Sequence, residues 1–149
     1  MRIYPLSSNK TYVKQNFQPQ FQGFKLPKIT KEQHCELGVF LHHIYEYKKG
    51  LRNLILTTER IHNQEFIECK LINENIPYVI QPVGSQKNTI NVYFGNEDCI
   101  NVVKTFKKPL NQLSNEQDFM LGIMLGYDRI LQCQRYLKRL GQNLNPLKG

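Results

Sequence analysis

The sequence predicts an α+β domain: a small three-stranded sheet in a βαββα order, a ferredoxin-like half, packed by flanking helices and closed by a long C-terminal helix. Three observations predict it. Apolar residues recur at helical spacing in several segments, short runs of branched aliphatics stand between turn residues, and a capping residue precedes each helical run. The 149 residues suit one core, and a chain of that size buries roughly two-thirds of its unfolded surface, so neither metal nor disulfide is required for stability.

Residues 1–29 read as an extended, flexible basic arm, rich in Gln, Asn, Lys and Pro, and residues 30–149 as a single domain. The arm's aromatics, Phe17, Phe21 and Phe24, follow neither helical nor strand periodicity. The first helix is expected over 31–49: Thr30 caps it, Gln33 completes a capping box, and Leu37, Phe40, Leu41, Ile44 and Tyr47 form one apolar face up to Gly50, which suits an αL stop. Residues 51–57 read as a buried strand. A second helix is expected over 59–74, capped by Thr57 or Thr58 and stopped by Asn75. Residues 76–81 and 89–94 read as an antiparallel hairpin around Pro82 and Gly84.

A third helix follows Gly95, with Asn96 as cap, Glu97 and Asp98 in its first turn, and Lys104, Lys107 and Lys108 at its end before Pro109. The last helix is expected to start at Ser114, with Gln117 in a capping box, and to run unbroken to about Leu140. At 1.5 Å per residue such a helix is roughly 39 Å long. Its first half, Phe119, Met120, Leu121, Ile123, Met124, Leu125 and Tyr127, is apolar on nearly every side, which predicts burial all round. Gly122 and Gly126 make a small-x-x-x-small pair that admits a second helix closely. Met120, Gly122, Ile123, Gly126 and Tyr127 are therefore the expected homodimer contact, which would also cover the edges of so small a sheet.

The net charge of +8 resembles a nucleic-acid signal until it is divided along the chain. Arg2, Lys10, Lys14, Lys25 and Lys28 stand in the first 29 residues without an acid, so the arm holds +5 and the domain only +3. Binding of nucleic acid would thus work through the arm. The first ten residues lack the apolar core of a secretory signal and no apolar run reaches the length of a membrane span, so a cytoplasmic protein without membrane contact is expected. Cys35, Cys69, Cys99 and Cys133 form no Cys-x-x-Cys pair and read as small buried hydrophobes.

No phosphate-loop, dinucleotide-binding, nucleophile-elbow or His-Glu-x-x-His motif occurs, which leaves no catalytic residue and no metal or cofactor to assign. His34, His42 and His43 share the first helix without a carboxylate or thiol to complete a ligand set. One place gathers anion-binding chemistry. At the expected junction of the first strand and second helix, Thr57, Thr58 and Arg60 would combine hydroxyls, free helix N–H groups and a cation, and the hairpin loop with Gly84, Ser85 and Lys87 would add a second polar contact for an anionic small molecule or nucleotide. An ordinary cap and an ordinary turn use the same residue types.

Five runs carry a family resemblance: Gly38-Val39-Phe40-Leu41-His42-His43-Ile44-Tyr45-Glu46, Asn75-Ile76-Pro77-Tyr78, Gln81-Pro82-Val83-Gly84, Asn91-Val92-Tyr93-Phe94-Gly95 and Met124-Leu125-Gly126-Tyr127-Asp128. Through them the stretch from Leu37 to Arg139, about two-thirds of the chain, resembles a small bacterial family known only as a domain of unknown function. The resemblance implies a three-stranded, dimeric α+β fold and brings no catalytic residues. Relatives encoded beside flavodoxins imply a redox protein partner such as a flavodoxin. More distantly, the segment from Ile55 to Phe106 is similar to small putative selenium or sulfur carriers, which bear a Cys-Gly pair after the Pro-Val turn. Residues 84–91 hold no cysteine, so thiol carrier chemistry is not implied. The functional expectation is a non-catalytic homodimeric binding or accessory protein, with a phosphate- or nucleotide-binding regulatory domain and a nucleic-acid binder as alternatives.

Overall fold

The computed structural model describes residues 23–84 and 88–141, together with a backbone strand at Tyr12–Val13. The chain forms β1 (Tyr12–Val13), α1 (Lys31–Glu36), α2 (Gly38–Lys48), β2 (Leu54–Arg60), α3 (Gln64–Asn73), β3 (Tyr78–Val83), β4 (Thr89–Gly95), α4 (Glu97–Thr105), α5 (Asn115–Met124) and α6 (Arg129–Gly141). Two 3-10 turns, Ile61–Asn63 and Leu110–Gln112, join elements. The α+β class and the antiparallel three-stranded sheet of β2, β3 and β4 are as the sequence predicts. The two residues of β1 pair with β3 and extend the order to β1-β3-β4-β2, so β2 is an edge.

Side chains alternate across the sheet and build a core on each face. On one face, Ile55, Ile80, Val92 and Phe94 pack against Leu37, Phe40 and Ile44 and against Phe66, Ile67 and Leu71 of α3. On the other, Leu54, Val79 and Tyr93 pack against Ile100 and Val103 of α4 and against Leu121 and Leu125. Among the described residues no helix is long and apolar enough to cross a membrane.

Local signals settle many of the boundaries. The capping boxes at Thr30/Gln33 and Ser114/Gln117 both form, Asn96 accepts from the Asp98 N–H, and Gly50 and Asn75 take up φ values of +74° and +55°. Four expectations need correction. The helix expected over 31–49 is divided at Leu37 into α1 and α2. The strand expected over 51–57 runs Leu54–Arg60, because seven rungs with β4 carry it through Glu59 and Arg60. Helix α3 consequently starts at Gln64, after a 3-10 turn, and not at Glu59. Its N-cap Asn63 makes no side-chain cap, since that amide is engaged elsewhere.

The fourth correction concerns the long C-terminal helical stretch, which is present and folds back on itself. Gly126 adopts φ +80°, and the Asp128 carboxylate accepts from the Leu131 N–H at 2.9 Å, starting α6 afresh. Nor is α5 buried all round: Leu121 and Gly122 are its buried residues, and Met120 is 44% exposed. The cysteines differ from expectation as well, Cys35 and Cys133 being exposed and Cys69 and Cys99 half-buried.

Candidate functional site

The sheet positions two polar or exposed features, one at the β2 edge and one on the α5–α6 hairpin. At the edge, Thr57 and Glu59 share the face of Ile55, while Thr58 and Arg60 share that of Leu54. The three residues expected to hold an anion are thereby split between opposite faces. Thr57 donates to the Glu59 carboxylate at 2.7 Å, and Thr58 donates across to Asn91 Oδ1 at 2.7 Å. With α3 starting at Gln64, neither threonine offers a free helix N–H. Register places Arg60 against Thr89 and Val83 against Thr89, so Arg60 and Gly84 come to one end of the sheet. Ser85 and Lys87 lie outside the described residues.

A seam of polar side chains, missed at first, joins α1 and α2 to this edge. Glu36 accepts from His62 Nε2 at 2.8 Å and from Asn63 Nδ2 at 2.9 Å. The fully buried Asn63 in turn accepts from Gln33 Nε2 at 3.1 Å. His43 donates to Glu46 at 2.8 Å, and Arg52 reaches the same carboxylate. The Asn63 and His62 hydrogen bonds lower the Glu36 pKa, and the His43 hydrogen bond lowers that of Glu46. Glu59 goes the other way. Burial raises it above its ordinary 4.5, with Glu36 adding to the rise and Thr57 and His43 opposing it. The signal for the seam was the Ile55-x-Thr57-x-Glu59 alternation, legible only once residues 58–60 are read as strand.

That raised carboxyl has a consequence for stability. The folded state favours the protonated acid, so Glu59 contributes stability that is complete below the unfolded value near 4.5 and is lost as pH rises through its folded value. Replacing it with Gln keeps an acceptor for Thr57 and removes the ionisation. Glu59→Gln is therefore expected to gain on the wild type from about pH 4.5 upward until the folded carboxyl is itself ionised, and to hold that gain above it. Urea midpoints measured between acid and neutral pH test this, and two curves running parallel would show that folding does not raise the Glu59 pKa.

On the other feature, α6 is fastened to α5 by its polar side. Arg135 and Arg139 both bond Asp118, at 2.9 and 2.8 Å, and the Tyr136 ring lies 5.4 Å from that of Phe119. Gln132 covers Gly122, where an added Cβ would meet Gln132 Oε1 at 2.1 Å. The small residue thus admits a helix, and that helix is the chain's own α6. Of the other expected contact residues, Met120 and Tyr127 are exposed, Ile123 is half-buried, and nothing stands within 4 Å of the Cβ position at Gly126. Among the described residues, no cluster of His, Cys, Asp or Glu is placed to hold a metal ion.

The model of a family described as protein of unknown function (DUF2023) matches residues 38–139. The chain belongs to the DUF2023 family. The match spans α2 to the last turns of α6 and so contains both the sheet edge and the hairpin. No curated protein matches the chain. The runs that resemble a domain of unknown function, residues 38–46 of α2 and those along β3, β4 and the Gly126 turn, all lie within the matched stretch.

Proposed function

We propose that this DUF2023 chain is a non-catalytic binding or accessory protein that acts as a homodimer in the cytoplasm. One observation carries the reading: α6 is thirteen residues long and buries none of them, while Ile130 and Leu137 stand 66% and 59% exposed. A helix of that length is marginal in water by itself and draws its stability from an apolar face packed on something else. A second polypeptide would complete it. The four free thiols are consistent with a reducing compartment.

Sedimentation velocity of the full chain at micromolar concentration tests the reading. A species of twice the 17.6 kDa chain mass is expected. A strictly monomeric boundary at every concentration removes the homodimer.

A further inference from the structure

We infer that residues 24–36 form a strap that opens and closes over α3 about Leu37, with Asn63 as its latch. The strap is independent of the α6 surface and of the homodimer reading. It also precedes the residues matched by the DUF2023 model, which begin at Gly38.

An asparagine at each end of α3 holds the strap. At the C-terminal end the Asn73 carboxamide meets the main chain of Phe24 twice, Oδ1 accepting from its N–H at 2.8 Å and Nδ2 donating to its C=O at 2.6 Å. At the N-terminal end Asn63 accepts from Gln33 Nε2 at 3.1 Å and donates to Glu36 at 2.9 Å, and His62 donates to the same carboxylate at 2.8 Å. Residues 24–36 therefore run along α3 against its direction. Little apolar surface fixes them there: α1 buries no residue, Phe24 is exposed, and Ile29 is half-buried against the core. A six-residue helix has no stability of its own in water, so α1 depends on its capping box and on these side-chain contacts. Leu37 differs in kind. It ends α1, begins α2 and is fully buried in the core, which fixes the strap at one point and makes the residue before it the hinge.

Asn63 makes opening a change of partners and not a simple loss. It is fully buried and stands directly before α3, where asparagine is among the preferred helix caps, yet it makes no side-chain cap. Its backbone sits at φ −90°, ψ −4°, whereas a capping residue takes extended angles. Those helical angles carry the 3-10 turn Ile61–Asn63 straight into α3, and the carboxamide goes to Gln33 and Glu36 instead. Once the strap leaves, rotation of Asn63 to extended angles unwinds the 3-10 turn and brings Oδ1 to the N–H of Glu65 or Phe66, as a cap does. Two arrangements thus satisfy one amide: strap closed with Asn63 on Gln33 and Glu36, or strap open with Asn63 on its own helix. A 3-10 turn suits such an exchange, its hydrogen bonds being poorer in geometry than those of an α-helix. Opening uncovers Asn63, Asn73 and the core surface beneath Ile29, a face of α3 that the closed strap withholds.

Hydrogen exchange of the full chain, read by mass spectrometry on peptides covering residues 24–36, α2 and α3, tests the strap. In the wild type the α1 amides are expected to exchange together and about 10-fold or more faster than those of α2 and α3, since the strap opens without the core. Glu36→Ala removes the shared acceptor of His62 and Asn63 from a side chain that is 42% exposed. It is expected to speed exchange in 24–36 by about 10-fold or more, the worth of hydrogen bonds to a charged group, and to leave α2 and α3 unchanged. Asn63→Asp keeps a capping oxygen, loses the donor and sets a second carboxylate beside Glu36. The strap is expected to open in it while the Glu65 and Phe66 amides keep their protection. Asn63→Ala is expected to open the strap and to lose that protection as well. Wild-type α1 amides that exchange no faster than those of α2 and α3 overturn the strap, as does a Glu36→Ala chain in which all three regions rise together. Equal protection of Glu65 and Phe66 in Asn63→Asp and Asn63→Ala overturns the latch.

Discussion

Gly95→Ala is expected to destabilise the fold by about 3 kcal/mol or more, although it adds one methyl group. Gly95 ends β4 at φ +149°, opposite Leu54. A Cβ there would come within 2.2 Å of Asn53 O and 3.0 Å of Leu54 Cα, backbone atoms at the entry to the edge strand. Neither strand can yield cheaply. The Gly95 N–H donates to Pro77 O at 3.1 Å, and Asn96 N–H donates to Asn53 O at 2.8 Å, so the residue is pinned toward β3 and β2 together. Gly50→Ala provides the control, since Gly50 has φ +74° with nothing within 4 Å, and left-handed backbone alone costs an alanine about 1–2 kcal/mol. Urea denaturation of both variants separates conformational strain from backbone collision. Equal midpoints would mean that β2 and β4 do not close as tightly at this end as the structure shows.

What the sequence discloses depends on the range of the interaction that decides each element. Thr30 with Gln33, Ser114 with Gln117, and Asn96 ahead of two acids are contests settled within four residues, and all three form as read. The end of β2 is settled by β4, about thirty residues away, and local propensity placed a helix where Glu59 and Arg60 pair with Ile90 and Thr89. That single displacement also misplaced the candidate anion site, whose free N–H groups depended on a helix start at Glu59. The seam of Glu36, Asn63 and His62 was hidden for the same reason, since Asn63 comes between α1 and the edge only after the strand extends.

The hairpin was legible in part. Gly126 followed two residues later by Asp128 is a helix stop followed by a helix start, and both residues act so. The run of apolar residues from Phe119 to Tyr127 concealed it, because continuous hydrophobicity suggests one buried helix. The structure divides that run between a core contribution from Leu121 and Leu125 and a surface contribution from Met120 and Tyr127. Nothing in the spacing of the run separates the two. The exposed stripe on α6 has the opposite history: its i, i+3, i+7 pattern is plain in the sequence, but only a fold in which Arg135 and Arg139 face α5 shows that the apolar side is left over.

Phe94→Ala is expected to cost about 4 kcal/mol, the range for a fully buried aromatic cut back to a methyl group, and to lower the melting temperature by roughly 12 °C in a chain of this length. Phe94 has no exposed surface, and its ring meets that of Phe40 edge to face, with centroids 5.7 Å apart and planes at 74°. In the sheet it stands between Ile55 of β2 and Tyr78 of β3, so its removal opens a hole bounded by two strands and α2. The strands are fixed by their ladders, which leaves only α2 free to settle inward. That helix is held at its far end by Arg52 on Glu46 and by Lys48 on Glu74, and it is tied through α1 to the fully buried Asn63. Collapse should therefore be partial and the cavity penalty retained. Thermal and urea unfolding of Phe94→Ala and Phe94→Leu measure it, with the leucine variant recovering about half of the loss and neither changing the urea slope. A loss below about 1 kcal/mol would place it far under the usual cost of such a truncation, and would mean that α2 does not rest on the sheet at Phe94.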